Sequence, residues 1–314
     1  MLRSALSQSN KFVRGSALAL LLVIAQVAHP AAATDIYAVR HDGQLMFFQH
    51  SGDQDGTPVW NVRAQLVGPG WSVPHVFAGG AGSVYAVLDN GDLMYFNKAS
   101  NWRAQKIGNG WLEKRLFAGD GGIIYVVNSV PELRRYWHAG FRDGQAKWDA
   151  TVKIGSGWLY DKIFSGDDGA VYHVNSSGDL IFSRDNGTPG WKIHERKVGS
   201  GWGPKQGVRH VFAGPSGAIY VVKDDGELLF FKHLGYRDGS ATWAPGGPKR
   251  IDVGWDFRFV TAGRQAAGPF AAPQVKHHLK VVHVKPQGTP NAPKPIPRPT
   301  MHGVSDDACP PHCD

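Results

Sequence analysis

Residues 101–127 read NWRAQKIGNGWLEKRLFAGDGGIIYVV, and this order of tryptophan, glycine-rich loop, second tryptophan and tyrosine-centred apolar run recurs along the chain. The recurring tyrosines lie 48, 40, 47 and 48 residues apart, at Tyr37, Tyr85, Tyr125, Tyr172 and Tyr220. A period of this length is typical of a small sheet that is repeated as a unit. The sequence therefore predicts five repeats, at about 35–82, 83–122, 123–169, 170–217 and 218–264.

The composition of each repeat predicts short antiparallel strands. Runs rich in Val, Ile, Tyr, Phe and Trp are separated by pairs such as Asp42-Gly43 and Asn90-Gly91, which tolerate the positive φ of a tight hairpin. One four-stranded sheet cannot cover its own faces, whereas five in a ring cover one another. We therefore predict an all-β fold, a closed five-bladed β-propeller of four-stranded antiparallel blades over residues 34–264. An open array is the alternative, but the first and last repeats lack the polar caps it would need.

The first 33 residues have the pattern of a secretory signal peptide. Lys11 and Arg14 precede an apolar run over residues 17–27, and Ala31-Ala32-Ala33 resembles a cleavage site. An uncleaved membrane anchor is the alternative, but the apolar run is shorter than a bilayer requires. We expect a secreted or periplasmic protein that does not insert into a membrane after cleavage.

Charge gives little support for a nucleic-acid partner. The formal net charge is +8, but it includes Arg3, Lys11 and Arg14 of the N-terminal segment and an excess of basic residues after Gln265. The repeats themselves are only weakly basic, whereas nucleic-acid-binding domains usually carry a strong basic patch. We expect no nucleic-acid partner.

Residues 265–314 have the composition of a disordered tail. Prolines alternate at 293, 295, 297 and 299, and Phe270 is the single aromatic residue. The histidines of the tail, with Cys309 and Cys313, make metal capture conceivable. In an exported protein these two cysteines more simply form a small disulfide loop or an intermolecular disulfide. We expect no metal and no cofactor in the protein.

The loop that ends in the second tryptophan has the composition of a sugar-binding element. Two glycines flank one residue and leave backbone N–H and C=O groups bare, and the tryptophan adds a flat apolar face with one donor. Sugars need an aromatic plate for their C–H face and polar groups for their hydroxyls. The alternative is that each tryptophan is core between neighbouring blades, and both interpretations can hold together. The fifth repeat, at Trp255, lacks the first glycine.

Repeats one, three and five carry a longer insert, His-x-Gly-x-x-Asp-Gly-x-x-x-Trp, that begins at His50, His138 and His233. Its acidic residues are Asp55, Asp143 and Asp238. A hydrolase ordinarily uses one unique pair of carboxylates, not one that recurs around a ring. We expect these aspartates to cap turns, with polar contact to a ligand as a further possibility.

The succession Asn101-Trp102, Gly108-Asn109-Gly110-Trp111 and Tyr125-Val126-Val127 resembles the repeat of the tachylectin-2 family of five-bladed propeller lectins. The resemblance extends over all five repeats, from Asp35 to Arg264. It implies a calcium-independent lectin for N-acetylated hexosamines, with equivalent shallow pockets between adjacent blades. The signal peptide, the tail and the long inserts depart from the family pattern.

We therefore expect multivalent, non-catalytic binding of glycans that bear GlcNAc or GalNAc. Polar contact is assigned to Asn101, Asp55, Asp143 and Asp238. Stacking is assigned to Trp71, Trp111, Trp158 and Trp202, and backbone hydrogen bonding to Gly70, Gly110, Gly157 and Gly201. Alternatives are a protein-binding propeller scaffold and a secreted propeller glycosidase. The glycosidase would need unique paired carboxylates, and Glu132, Glu195 and Asp161 are unique but lack an evident partner.

Overall fold

The strands form five four-stranded antiparallel sheets in the computed structural model, which describes residues 33–113, 115–149, 151–187 and 190–263. This confirms the predicted all-β, five-bladed propeller of four-stranded blades. Within these residues the helices are single 3-10 turns, and none is long and apolar enough to cross a bilayer. The predicted signal peptide, up to residue 32, and the predicted tail, 265–314, lie outside the described residues.

The strands follow one another closely along the chain and are numbered in that order. The first three are β1 (Thr34–Val39), β2 (Leu45–His50) and β3 (Trp60–Gly68). Then follow β4 (His75–Ala78), β5 (Ser83–Val87), β6 (Leu93–Asn97), β7 (Gln105–Gly108), β8 (Arg115–Ala118), β9 (Ile123–Val127), β10 (Glu132–Trp137) and β11 (Val152–Ser156). The last are β12 (Ile163–Ser165), β13 (Ala170–Val174), β14 (Asp179–Asp185), β15 (Trp191–Ser200), β16 (Val208–Ala213), β17 (Ala218–Lys223), β18 (Leu228–Lys232), β19 (Lys249–Asp252) and β20 (Phe259–Gly263).

The ring is closed by the last strand of the chain. Blade 1 has the strand order β20-β1-β2-β3, and β20 pairs with β1 from Asp35↔Gly263 to Val39↔Phe259. The other blades, 2 to 5, are β4–β7, β8–β11, β12–β15 and β16–β19. The innermost strands β20, β4, β8, β12 and β16 each contact both neighbours, so the five sheets surround one axis. Blades and sequence repeats are thus offset by one strand, because the strand that ends each repeat pairs with the tyrosine strand of the next repeat.

The hydrophobic core is divided into five clusters, one between each pair of adjacent blades. Between blades 2 and 3, for example, Phe77, Tyr85 and Trp111 pack against Ile124 and Val126. All five recurring tyrosines are no more than 1% exposed. Each blade therefore covers the next, which is why the unit has to be repeated around a closed ring.

Each long insert links its blade to the preceding blade by hydrogen bonds of its histidine, and we call this link the latch. The insert histidine is fully buried, and its Nδ1 meets the hydroxyl of the recurring tyrosine in the preceding blade: His50 with Tyr220 at 2.9 Å, His138 with Tyr85 at 3.0 Å, and His233 with Tyr172 at 2.8 Å. Each Nε2 lies 2.8 Å from a carbonyl oxygen of its own insert, on Thr57, Gln145 and Ser240. A carbonyl only accepts, so Nε2 carries the proton and the tyrosine donates to Nδ1.

The other two interfaces replace this histidine. Asp185 takes its position in blade 4, where it accepts a hydrogen bond from Tyr125 at 3.0 Å and pairs with the buried Arg135 of blade 3. Lys98 takes it in blade 2 and lies 4.2 Å from the centroid of the Phe47 ring. The hydroxyl of Tyr37 accordingly has no hydrogen-bond partner among the described residues. The five interfaces share one scaffold but differ in their polar chemistry.

Acidification is expected to destabilise the propeller through the latch histidines. Burial lowers the pKa of His50, His138 and His233 below the ordinary value of 6.5. The latch is therefore fully formed above about pH 6.5, and below it the unfolded chain binds protons that the folded chain excludes, so the free energy of unfolding falls. Urea unfolding at about pH 7.5 and pH 5.5 measures this loss. His138→Gln, which can make both hydrogen bonds without titrating, should show a smaller loss, and an equal loss in both proteins would contradict the mechanism.

Candidate functional site

A crevice of about 390 Å³ opens between blades 2 and 3. Blade 2 supplies one wall from the end of β7 and the glycine-rich loop, and blade 3 supplies the other from β9, β10 and the segment after the insert. The lining residues are Ile107, Gly108, Asn109, Gly110, Trp111 and Glu113 on one side and Val126, Tyr136, Trp148, Asp149 and Thr151 on the other. The crevice lies at the place where the resemblance predicts a ligand pocket, between adjacent blades.

The two glycines of the loop have different structural roles. A Cβ on Gly108 would lie 2.6 Å from the Nε1 of Trp111, so the first glycine makes room for the indole. Gly110 has a φ of +76°, which L side chains rarely adopt, and has no atom within 4 Å of its would-be Cβ. The N–H of Trp111 donates to the carbonyl of Gly91 at 3.0 Å, which fixes the loop to the β5–β6 hairpin. The loop therefore presents its backbone to solvent while the indole turns inward.

The tryptophans that end the glycine-rich loops are almost completely buried in the core. Trp71, Trp111, Trp158 and Trp202 are 6, 9, 4 and 5% exposed. The Trp111 ring lies 5.0 Å from Tyr136 and 5.1 Å from Trp148, centroid to centroid. So small an exposed fraction leaves little of the indole for contact with a ligand, whereas the rings of Tyr136 and Trp148 are half-buried. Trp148 is held by its Nε1, which donates to the carbonyl of Ile107 at 2.8 Å.

Four polar side chains line the crevice, and sequence reasoning did not single them out: Asn109, Glu113, Asp149 and Thr151. Asn109 is the variable residue between the two glycines, and Asp149 and Thr151 follow the first tryptophan of the third repeat. These positions differ from repeat to repeat while the glycines and tryptophans around them recur, and this variation is the sequence feature that could have identified them as ligand-contacting candidates. Among the described residues, no three His, Cys, Asp or Glu side chains are grouped so that they could hold a metal ion.

The predicted aspartates and Asn101 do not line this crevice. Asp55, Asp143 and Asp238 each accept a hydrogen bond from the backbone N–H two residues later, at 3.0, 3.0 and 2.9 Å, and so cap the turns of their inserts. Asn101 has a φ of +52° and ends the 3-10 turn Lys98–Ser100. Of the predicted residues, the structure brings Gly110 and Trp111 together in the crevice. Gly70, Gly157 and Gly201 are exposed in the corresponding loops of other blades.

The corresponding loops meet different residues at other interfaces between blades. Between blades 3 and 4 the ring of Tyr160 stacks on the buried His173 at 3.8 Å, and burial lowers the pKa of His173 to about 4. Between blades 5 and 1, Asp252 occupies the loop position that is the first glycine in the other repeats. Its carboxylate accepts a hydrogen bond from the Nε1 of Trp255 at 3.1 Å and pairs with Arg63. Equivalent loops therefore have different surroundings at different interfaces.

Several solved structures match the chain at low sequence identity. A symmetrical protein described by its de novo evolutionary emergence is 21% identical, with 72% of this chain and 97% of that chain covered and a TM-score of 0.49. The SapL1 lectin, solved in complex with alpha methyl fucoside, is 16% identical, with 71% and 79% covered and a TM-score of 0.41. YCF48 bound to a D1 peptide is 16% identical, with 69% and 67% covered and a TM-score of 0.33. No curated protein matches the chain significantly.

The family comparison covers nearly all of the ring. The family described as Tachylectin matches residues 38–188 and 136–267 in two overlapping segments. These segments include all five blades and the crevice between blades 2 and 3. On this match, the chain belongs to the Tachylectin family.

Proposed function

We propose that this protein is a secreted, non-catalytic lectin that binds N-acetylated hexosamines in crevices between its blades. The observation that carries the proposal is the crevice between blades 2 and 3, with aromatic rings and bare backbone in a chain of the Tachylectin family. Secretion rests on the pattern of residues 1–33 in the sequence.

The crevice offers complementary surfaces to a pyranose. The half-buried rings of Tyr136 and Trp148 provide apolar area for the C–H face of the sugar. The exposed backbone at Asn109 and Gly110, the Asn109 amide and the Thr151 hydroxyl provide donors and acceptors for hydroxyl or acetamido groups. A volume of about 390 Å³ lies in the range of small-ligand pockets and has room for one or two sugar units.

Weak single sites are sufficient for a multivalent protein. A monosaccharide makes few contacts, so each crevice has to offset the entropy of association with a small contact area. Several crevices on one rigid ring raise the retention on a densely glycosylated surface by orders of magnitude, about 10²–10⁴. Because the crevices differ in their residues, we expect a spread of affinities around the ring.

Tyr136→Ala is expected to weaken binding to this crevice about three- to tenfold, since an aromatic contact contributes roughly 0.5–1.5 kcal/mol. Calorimetry with a GlcNAc oligomer should show one site per chain whose association constant is about three- to tenfold lower than in the wild type. Lys106→Ala is the matched control, because Lys106 pairs with Asp92 at 2.7 Å and does not line the crevice. An unchanged isotherm for Tyr136→Ala in a folded protein would exclude this crevice as the sugar site.

Glycoside hydrolysis is a second candidate function. Glu113 and Asp149 line the same crevice, and neither acid recurs at the corresponding places of the other repeats. Glycosidases use two carboxylates that flank the scissile bond. Incubation of the protein with chitin oligosaccharides tests this directly: shortened products that disappear in Glu113→Gln would establish a hydrolase, whereas intact oligosaccharides support the lectin.

A further inference from the structure

We infer that removal of the predicted signal peptide completes blade 1, because the α-ammonium group that cleavage creates on Thr34 pairs with the buried carboxylate of Asp53. This inference goes beyond glycan binding and rests on the secretion that is part of the proposed function. Cleavage after Ala31-Ala32-Ala33 hydrolyses the peptide bond between Ala33 and Thr34. The oxygen of one water bonds to the Ala33 carbonyl carbon and its two protons go to the Thr34 nitrogen, so a carboxylate and an ammonium group form.

Thr34 occupies a position at which blade 1 differs from the other blades. Three residues before the recurring tyrosine, blades 2 to 5 have turn glycines with positive φ, which are Gly82, Gly122, Gly169 and Gly217. These glycines end the turn between the innermost strand and the next strand of their blade. Blade 1 has no such turn, because its innermost strand β20 comes from the other end of the ring. A threonine can therefore stand at this position.

The insert residue that faces this position also differs in blade 1. Three residues after the latch histidine, the inserts of blades 3 and 5 have the aromatic residues Phe141 and Tyr236. These rings pack on the turn glycines of their blades, since a Cβ on Gly122 or Gly217 would lie 2.7 or 2.8 Å from them. The insert of blade 1 has Asp53 instead. An acid thus replaces an aromatic residue in the insert that faces the predicted start of the mature chain.

The carboxylate of Asp53 is buried in contact with Thr34. Both residues are 0% exposed, and the Thr34 hydroxyl donates to Oδ2 of Asp53 at 2.9 Å. Only the Cα and Cβ atoms separate this hydroxyl from the backbone nitrogen of Thr34, so the nitrogen lies near the carboxylate. Blade 5 also encloses Thr34, because a Cβ on Gly214 would lie 2.7 Å from the hydroxyl oxygen. Ala33 is 5% exposed, so the folded ring shields the scissile bond and cleavage has to precede the closure of blade 1.

The buried carboxylate lacks a direct contact with a cation. Lys232 of blade 5 lies beside it, but its Nζ contacts the backbone carbonyl of Asp53 at 3.1 Å and the Gln54 amide oxygen at 3.2 Å. Burial raises the pKa of Asp53, although hydrogen bonds from Thr34 and Gln54 and the charges of Lys232 and His50 lower it. An uncharged amide at Thr34 does not offset this cost of burial, whereas an ammonium group favours the ionised carboxylate.

The pairing predicts a specific dependence on pH. An ammonium group beside a buried carboxylate has its pKa raised above the ordinary value of about 7.7–8.0. Its stabilisation is complete below about pH 7.5 and is lost as the pH rises through the raised pKa. Burial lowers the pKa of His50 and raises that of Tyr220, so both stay neutral in this range. Burial also lowers the pKa of Lys232, whose charged neighbours include Asp55 and Asp167, so the test has to cancel its titration.

The test compares the mature chain that begins at Thr34 with a chain that begins at Ala32, in which the ammonium group is displaced by two residues. Urea unfolding at about pH 7 should give an equilibrium constant of unfolding about tenfold larger for the longer chain, which corresponds to a pKa shift of about one unit. This difference should shrink at about pH 10, while Lys232 titrates in both chains. Asp53→Asn, which removes the charge and keeps the size of the side chain, should abolish the difference at about pH 7.

Asp42→Asn is the matched control, because this carboxylate of the β1–β2 hairpin is 47% exposed and its loss should leave the difference unchanged. A difference that persists in Asp53→Asn, or that is the same at about pH 7 and pH 10, would overturn the inference and leave the lectin proposal standing.

The N-terminal residue of the exported protein separates the inference from the proposed function. Mass spectrometry of protein exported from cells that express the full chain should show Thr34 as the first residue. A different cleavage position would overturn the inference alone, whereas retention of residues 1–33 would overturn both the inference and the proposed secretion. Absence of GlcNAc binding by a chain that shows the expected difference in unfolding would overturn the lectin proposal alone.

Discussion

Replacing Arg135 with alanine is expected to lower the free energy of unfolding by about 3–5 kcal/mol, the usual cost of leaving a buried ionic partner alone. The Arg135 and Asp185 side chains are 9% and 2% exposed. Arg135 also donates to the carbonyl of Gly187 at 2.6 Å, so it joins blade 3 to the β14–β15 hairpin of blade 4. Its loss would leave Asp185 buried with only neutral partners. Urea unfolding, read from both midpoint and slope, measures the change.

The neighbouring arginine provides the control. Arg134 lies next to Arg135 on β10, but its side chain is 39% exposed and its pair with Glu132 is open to solvent. Arg134→Ala should therefore change stability by no more than about 1 kcal/mol. Equal effects of the two substitutions would show that burial is not what makes the Arg135 pair strong. The double variant Arg135→Phe, Asp185→His places at this interface the residue types of Phe182 and His233, and it should recover part of the loss.

Replacing Trp111 with alanine is expected to cost about 3–5 kcal/mol of stability, because it opens a large cavity in the core between blades 2 and 3. Trp111 is 9% exposed and contacts both Tyr136 and Trp148. The same substitution should abolish ligand binding in this crevice, since both partner rings lose their support. Chemical denaturation and calorimetry on the same preparation report the two effects. Trp111→Phe should lie between wild type and alanine in stability.

The adjacent residue separates core from surface. Leu112 is 56% exposed, so Leu112→Ala should alter stability by no more than about 0.5 kcal/mol. If Trp111→Ala instead retained full stability and lost only binding, the indole would be a ligand surface and not a core side chain. The two substitutions thus decide between the two interpretations of the Gly-x-Gly-Trp loop.

Much of the architecture could be predicted because it depends on local patterns. The recurring tyrosine runs, the turn glycines and the copy number predicted five four-stranded blades, and the structure confirms them. The pairing of β1 with β20 could not be read from any one repeat, because ring closure joins residues more than 200 positions apart. The role of the insert histidines was also hidden, since each meets a tyrosine of the preceding blade.

Part of the candidate site could likewise be predicted from the sequence, and the rest depends on how two blades pack together. Gly110 and Trp111 could be predicted, because a repeated Gly-x-Gly-Trp loop marks a special backbone with an aromatic ring beside it. Tyr136, Asp149 and Thr151 come from the next repeat and enter the crevice only when two blades pack together.

By itself the amino-acid sequence determined the number, strand content and periodicity of the blades, because these follow from turn chemistry and the spacing of apolar residues. Only the tertiary structure decided that the second tryptophans are buried, that Arg135 and Asp185 join two blades, and that Glu113 and Asp149 share one crevice. The physical reason is that burial and charge proximity are properties of the interface between blades, which no single repeat contains.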